Sequence, residues 1–248
     1  MADRLTWLGH ATVLLEVGGA VLLTDPVLRR RVAHLRRLAP APGPPPRVDA
    51  ILISHVHRDH LDLPSLRLLD PAAPVVVPRG GARALRRSRR DVHELAAGET
   101  MDVADVQVRA VPAVHDGRRS PLSQQAETVG YVIEARRRVY YFAGDTERFD
   151  AMAELAEGNL DVALVPIAGW GPRLGPGHMD TGQAAAAVAL LRPRLVVPIH
   201  WGTFRPFGRG QRDAYQPALR FAACVAAVAP ATTVCILSPG EGLTLAGP

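Results

Sequence analysis

The chain has 248 residues, 48% of them apolar, and a formal net charge of +5 in which every one of the 29 basic side chains is arginine. That length and apolar content suit one domain with a large core or two small ones, a charged fraction of 21% is ordinary for a globular protein, and no apolar run reaches the roughly 20 residues that span a bilayer. The first residues carry no basic stretch leading to a small-residue cleavage site, and Cys224 and Cys235 sit in apolar surroundings as core residues and not as a disulfide, so a cytoplasmic location is expected.

Arg4–Leu8, Thr12–Val17 and Ala20–Thr24 are predicted as short strands, with Gly18-Gly19 as a hairpin turn. The Pro-rich stretch from Pro40 to Pro46 is neither helix nor central strand and is a loop. Asp49–Ile53 is an apolar strand running into Ser54-His55. Pro64–Leu69 and Gly81–Arg89 are predicted helices. Val75–Val77, Val106–Ala113, Val129–Glu134 and Val139–Phe142 are further strands. A strand-then-helix rhythm follows: Val162–Pro166, a helix over Thr181–Leu191, Leu195–Pro198, a helix over Ala218–Val228, and Val234–Leu237. Strands first, then strands alternating with helices, point to two sheets faced by helices.

The chemistry starts at His55-Val56-His57-Arg58-Asp59-His60, where three imidazoles and a carboxylate follow a strand within six positions. Imidazole and carboxylate are the usual ligands of zinc and related divalent metals. Alternate residues of an extended segment point the same way, so His55 and His57 can share one ion, while Asp59 and His60 turn toward a neighbouring position. One loop does not complete two sites. His115, Asp145 and His200 are the candidates for the rest, because each follows a point where an apolar strand stops.

The segment HVHRDH resembles the H-x-H-x-D-H signature of the metallo-β-lactamase superfamily, and His115, Asp145 and His200 follow in the family's order. The resemblance covers nearly the whole chain. Trp7-Leu8-Gly9-His10-Ala11-Thr12, Thr24-Asp25-Pro26, Ala143-Gly144-Asp145-Thr146 and His200-Trp201-Gly202-Thr203-Phe204 narrow it to the branch containing N-acyl-phosphatidylethanolamine phospholipase D and ascorbate-6-phosphate lactonase enzymes. It implies a four-layer αββα sandwich of two mixed sheets flanked by helices, with residues 1–248 as a single domain. It also implies two divalent ions, zinc first and manganese or iron as alternatives. His55, His57 and His115 would hold one; Asp59, His60 and His200 the other; Asp145 and a hydroxide would bridge them. Two ions about 3.5–4 Å apart generate hydroxide near neutral pH and stabilise the charge that develops in the transition state. The 55 positions from Asp145 to His200 leave no room for the inserted domain of the family's nucleases.

Two residues are predicted to be catalytic. Asp59 serves both as ligand and in catalysis. His178 lies in a Gly-Pro-Gly turn just before the helix at Thr181, which Asp180 or Thr181 can cap. Loops at helix N-termini concentrate function, and the helix dipole there disfavours the imidazolium, which suits a proton donor to a leaving group or a hydrogen bond to an oxyanion. The relatives named above carry a His before the corresponding helix. Asp25 is balanced between accepting from a ligand imidazole and forming an Asx-turn before Pro26. His10 approaches the site or plays a structural part at its strand end. Trp201 lines the pocket or packs beneath it, and His34 and His93 are surface residues.

Three functions follow. The first is hydrolysis of a phosphodiester or other phosphate-bearing small molecule. The second is opening of a lactone or related ester or amide ring. The third is a metal- or nucleic-acid-binding scaffold without turnover, which the intact ligand set disfavours. Two arginine clusters, Arg29–Arg37 and Arg83–Arg90, read first as solvated faces and second as attractors of an anionic substrate. No aromatic residues interleave them, so no nucleic-acid partner is expected. The expected partner is an anionic small molecule, and self-association into a homo-oligomer is left open.

Overall fold

A computed structural model gives the fold, and the described residues are 2–119, 125–136, 138–155, 160–169, 174–207 and 214–246. Two seven-stranded mixed sheets face each other. The first runs, edge to edge, Gly242–Leu245, Asp3–Gly9, Thr12–Val17, Ala20–Thr24, Ala50–Leu52, Val75–Pro78 and Val92–Leu95. The second runs Thr233–Val234, Leu195–Ile199, Val162–Pro166, Arg138–Phe142, Val129–Ala135, Val106–Pro112 and Thr100–Val103.

Alternation explains why the first sheet is buried on both faces. Leu22, Ala50, Leu52 and Val76 join the core between the sheets. Their neighbours Leu23, Ile51, Ile53, Val75 and Val77 point the other way and pack with Leu66 of the helix Leu63–Leu66 and Leu85 of the helix Ala82–Leu85. On the second sheet, helices Thr181–Leu191 and Gln216–Val228 contribute Ala184, Val188, Phe221 and Val225 to the core. The result is the expected αββα sandwich. Gly18 and Gly19 both have positive φ, 59° and 93°, as a two-residue hairpin with right-handed twist requires.

The departures from expectation have physical causes. The two helices on the first sheet are single turns, shorter than their apolar spacing suggested. Val234–Leu237 is a strand only over Thr233–Val234. A three-stranded sheet of Arg31–Val32, Leu35–Arg37 and Phe204–Pro206 lies inside the first arginine cluster. There Val32, Leu35 and Phe204 are buried together, and Arg37, only 5% exposed, is no part of a solvated face. Its guanidinium donates to the carbonyls of Leu8 and Val27 at 2.9 and 2.6 Å. Gly9 permits this approach: its φ is +105°, and a Cβ there would lie 2.8 Å from Arg37 Nη1. Cys224 and Cys235 are free and pack against the main core. Among the described residues no helix is long and apolar enough to cross a membrane.

Strand direction places the chemistry. Ala20–Thr24 and Ala50–Leu52 are parallel, and Asp3–Gly9, antiparallel to an antiparallel neighbour of Ala20–Thr24, runs the same way. In the second sheet Arg138–Phe142 runs with Val162–Pro166 and Leu195–Ile199, and Val106–Pro112 is brought into the same direction by two antiparallel steps. His10, Asp25, His55, His115, Asp145 and His200 therefore all follow carboxyl ends of strands, where open α/β sheets bind ligands. The loop Arg86–Arg90 instead enters Val92–Leu95 at its amino end, level with the start of Val75–Pro78. The second arginine cluster thus lies at the opposite end of the sheet from the histidines.

Candidate metal centre

Seven of the nine histidines, His10, His55, His57, His60, His115, His178 and His200, fall into groups whose donor atoms lie within 4.8 Å of one another. The backbone is strained to place them. His10, Asp25 and His200 adopt positive φ of 57°, 34° and 62°, a conformation that costs non-glycine residues about 1–3 kcal/mol each and clusters at functional sites. Gly144 (φ +60°), just before Asp145, lies so close to Ser54 that a Cβ would sit 2.4 Å from the Ser54 Cβ.

His55, His57 and His115 form one group. Their ring centroids are 4.6 to 4.9 Å apart, and His115 Nε2 is 3.1 Å from His57 Nδ1. His115 Nδ1 donates to Gly177 O at 2.7 Å, which leaves Nε2 to face inward. Ser54 Oγ gives its one proton to Asp25 Oδ2 at 2.6 Å, so across 3.0 Å it accepts from His55 Nδ1. The bare nitrogen, His55 Nε2, is then buried without a hydrogen-bond partner.

Asp59, His60 and His200 form the second group, joined by His10. His60 Nδ1 donates to Asp25 Oδ2 at 2.7 Å and His200 Nδ1 to Ala168 O at 2.8 Å. Their Nε2 atoms face each other at 3.3 Å. Asp25 also accepts from Ser54 N at 2.7 Å. Its place is thus beneath two imidazoles of the site. A carboxylate behind a ligand His fixes the tautomer and raises ligand basicity.

Asp145, 2% exposed, lies between the groups. Its Oδ2 is 3.1 Å from His60 Nε2, 3.3 Å from His178 Nε2 and 4.0 Å from His55 Nε2, and its Oδ1 is 3.3 Å from His200 Nε2. Oδ1 has no hydrogen-bond partner. A buried carboxylate oxygen and a buried imidazole nitrogen without partners cost free energy unless a cation satisfies them. The mixed imidazole and carboxylate donors fit divalent zinc, manganese or iron.

The electrostatics follow from burial and crowding. Burial, reinforced by neighbouring imidazoles, pushes His115 down to about 4, His10 to about 3, and His55 well below the usual histidine range. Burial alone would raise the carboxyls of Asp59 and Asp145, but the surrounding histidines hold both well below the carboxylate range. His60 is held well above its ordinary value by Asp145 and Asp25 against the effect of burial. His178 corrects an expectation: burial lowers it, yet Asp145 raises it overall. The hydrogen bond and charge of Asp145, with the carbonyls of Gly175 and Pro176, set that direction.

The structure brings all seven expected ligands together, with His178 beside them. Asp180 caps the helix after His178, accepting from Gly182 N and Gln183 N in a capping box. Trp201 is 3% exposed and stacks on Trp7 at 5.0 Å between centroids, so it packs beneath the site. His93 is a half-buried surface residue paired with Asp91. His10, like Asp25, is a residue whose role the sequence leaves undecided. Its signal was available, since it ends a strand as His115 and His200 do.

Residues 21–201 match the family described as a β-lactamase superfamily domain. A UPF0173 metal-dependent hydrolase of Pyrobaculum arsenaticum is 34% identical over 258 residues, covering 98% of this chain and 100% of that one. The N-acyl-phosphatidylethanolamine-hydrolyzing phospholipase D 1 of Caenorhabditis elegans is 31% identical over 231 residues, which are 82% of this chain and 64% of that protein. Among solved structures, the metallo hydrolase Igni18 of Ignicoccus hospitalis superposes with a TM-score of 0.76 over 100% of both chains at 24% identity, a likeness of fold.

Proposed function

The chain belongs to the β-lactamase superfamily as a metal-dependent hydrolase, and from that membership we propose that its residues 1–248 act as one cytoplasmic domain that uses two divalent ions, zinc first, to hydrolyse a phosphodiester or other phosphate-bearing small molecule. The observation that carries this reading is Asp145, whose two oxygens reach donors of both histidine groups. His55, His57 and His115 hold one ion; Asp59, His60 and His200 hold the other; Asp145 is shared. Ions so held supply a water-derived nucleophile near neutral pH and neutralise charge on the reacting group.

The chain's own residues do the rest. Asp25, Gly177 O and Ala168 O orient ligand rings so that their Nε2 atoms face the centre. His178, with its side chain 23% exposed, stands at the solvent side of Asp145. There it is a catalytic residue that gives a proton to the leaving group or a hydrogen bond to the charge forming on the substrate. Arg58, exposed between His57 and Asp59, supplies positive potential at the mouth and favours an anionic substrate.

The phosphodiester reading is favoured over lactone opening by the likeness to a phospholipase D, whose name describes phosphodiester cleavage. The test is turnover by the metal-loaded protein of bis-(p-nitrophenyl) phosphate against a panel of lactones. Phosphodiester hydrolysis abolished by chelation supports the proposal. Turnover confined to lactones replaces it with the ring-opening reading, and turnover of neither class overturns both.

A further inference from the structure

His10 is the one histidine of the cluster with no part in the reading above. It is buried, 2% exposed, and its backbone sits in the left-handed region at φ 57°. Three hydrogen bonds hold that backbone. His10 N donates to Thr203 Oγ1 at 2.7 Å, and the Thr203 hydroxyl donates on to Trp201 O at 3.0 Å. His10 O accepts from Trp7 Nε1 and from His200 N, both at 2.9 Å. The ring lies against His200, tilted by 36° with centroids 3.9 Å apart, and meets the Phe204 ring edge-on at 5.2 Å. Its Nε2 lies 3.2 Å from Asp59 Oδ2. One residue thus touches two members of the second group, His200 through its carbonyl and Asp59 through its side chain.

The position of the ring separates two roles for His10. The His60 and His200 rings turn their Nε2 atoms toward each other at 3.3 Å, with centroids 5.2 Å apart. The His10 ring instead lies against the flank of His200, and its Nε2 meets the Asp59 carboxylate. A carboxylate ligand on a short loop needs a donor to select one orientation, and such outer partners typically change metal affinity 10–100-fold.

We propose that His10 is a positioning residue: it donates its Nε2 proton to Asp59 and so fixes that carboxylate for the second metal. The proposal rests on the two-metal reading and goes beyond it by naming what orders one of its carboxylate ligands. A hydrogen bond held by a strained strand end makes occupancy of the second site depend on a residue three strands away in the first sheet, while the His55, His57 and His115 group is independent of it.

The experiment titrates zinc into the chelated full chain and into His10→Phe and His10→Gln variants, reading stoichiometry and the two dissociation constants by competition with a chromophoric chelator. His10→Phe keeps an aromatic ring against His200 and Phe204 and removes the donor. His10→Gln keeps an N–H donor. The expected result is two sites in the parent chain, an unchanged first site and a second site at least 10-fold weaker in His10→Phe, and recovery of most of that loss in His10→Gln. A second site of parental affinity in His10→Phe overturns the proposal. Equal loss in both variants also overturns it and makes His10 a ligand. If His10→Phe fails to fold, His10→Ala takes its place, alone and in an Asp59→Asn background, where it must add nothing; an additive loss contradicts action through Asp59. A parent chain with only one site overturns the two-metal reading itself, a distinct outcome.

Discussion

Asp25 Oδ2 lies 2.7 Å from His60 Nδ1 and thereby turns the opposite nitrogen of that ring to within 3.1 Å of Asp145 Oδ2. An acceptor at Nδ1 forces the proton there and the lone pair to Nε2. In Asp25→Asn the amide NH2 facing His60 reverses the tautomer. The expected outcome is a 10–100-fold loss of metal affinity, largest for the ion held by His60 and accompanied by retained secondary structure in circular dichroism. Parental affinity for both ions would show that Asp25 serves folding alone.

His178 contacts Asp145 and follows no strand. Removing a general acid typically costs 10²–10⁴-fold in rate. His178→Ala should lower kcat into that range with metal content unchanged by elemental analysis. Unchanged turnover dismisses the catalytic role, whereas loss of an ion makes His178 a ligand.

Acid should destabilise the metal-free chain. His10 and His115, held to about 3 and about 4 by burial, stay neutral in the fold while their unfolded counterparts protonate near 6.5. A histidine whose folded value is depressed contributes stability above the unfolded value and loses it as pH falls. His55 and His57 act in the same direction, and His60 and His178, raised, oppose them. Between pH 7 and pH 5 the unfolded forms of the lowered histidines take up protons that their buried folded forms refuse, and stability falls through these groups. Thermal unfolding of the chelated protein should therefore show Tm falling from pH 7 to pH 5, with a steeper fall when metal is present, because imidazoles must stay neutral to bind it. A Tm that rises over that interval contradicts the burial of neutral imidazoles.

Much of this centre was legible in the sequence because its signals are local. HVHRDH after an apolar strand, and His115, Asp145 and His200 where strands stop, needed only periodicity and residue chemistry. What was illegible depends on long-range pairing. Leu35–Arg37 read as a charged face because its partner, Phe204–Pro206, lies far along the chain. Gly242–Leu245, in a Gly- and Pro-rich tail, becomes a strand only by pairing with Asp3–Thr6. The sign of the His178 shift was misjudged for the same reason: the helix dipole is a local feature, and Asp145 is not. Asp25 stayed balanced between two roles until His60 and Ser54 were placed against it.

The central claim is that two histidine groups sharing Asp145 hold two ions, and metal content tests it most directly. Elemental analysis of protein purified without chelator, and again after reconstitution, should give close to two divalent ions per chain, with His57→Ala losing at least one. Protein that carries no metal and takes up none on reconstitution would contradict the account.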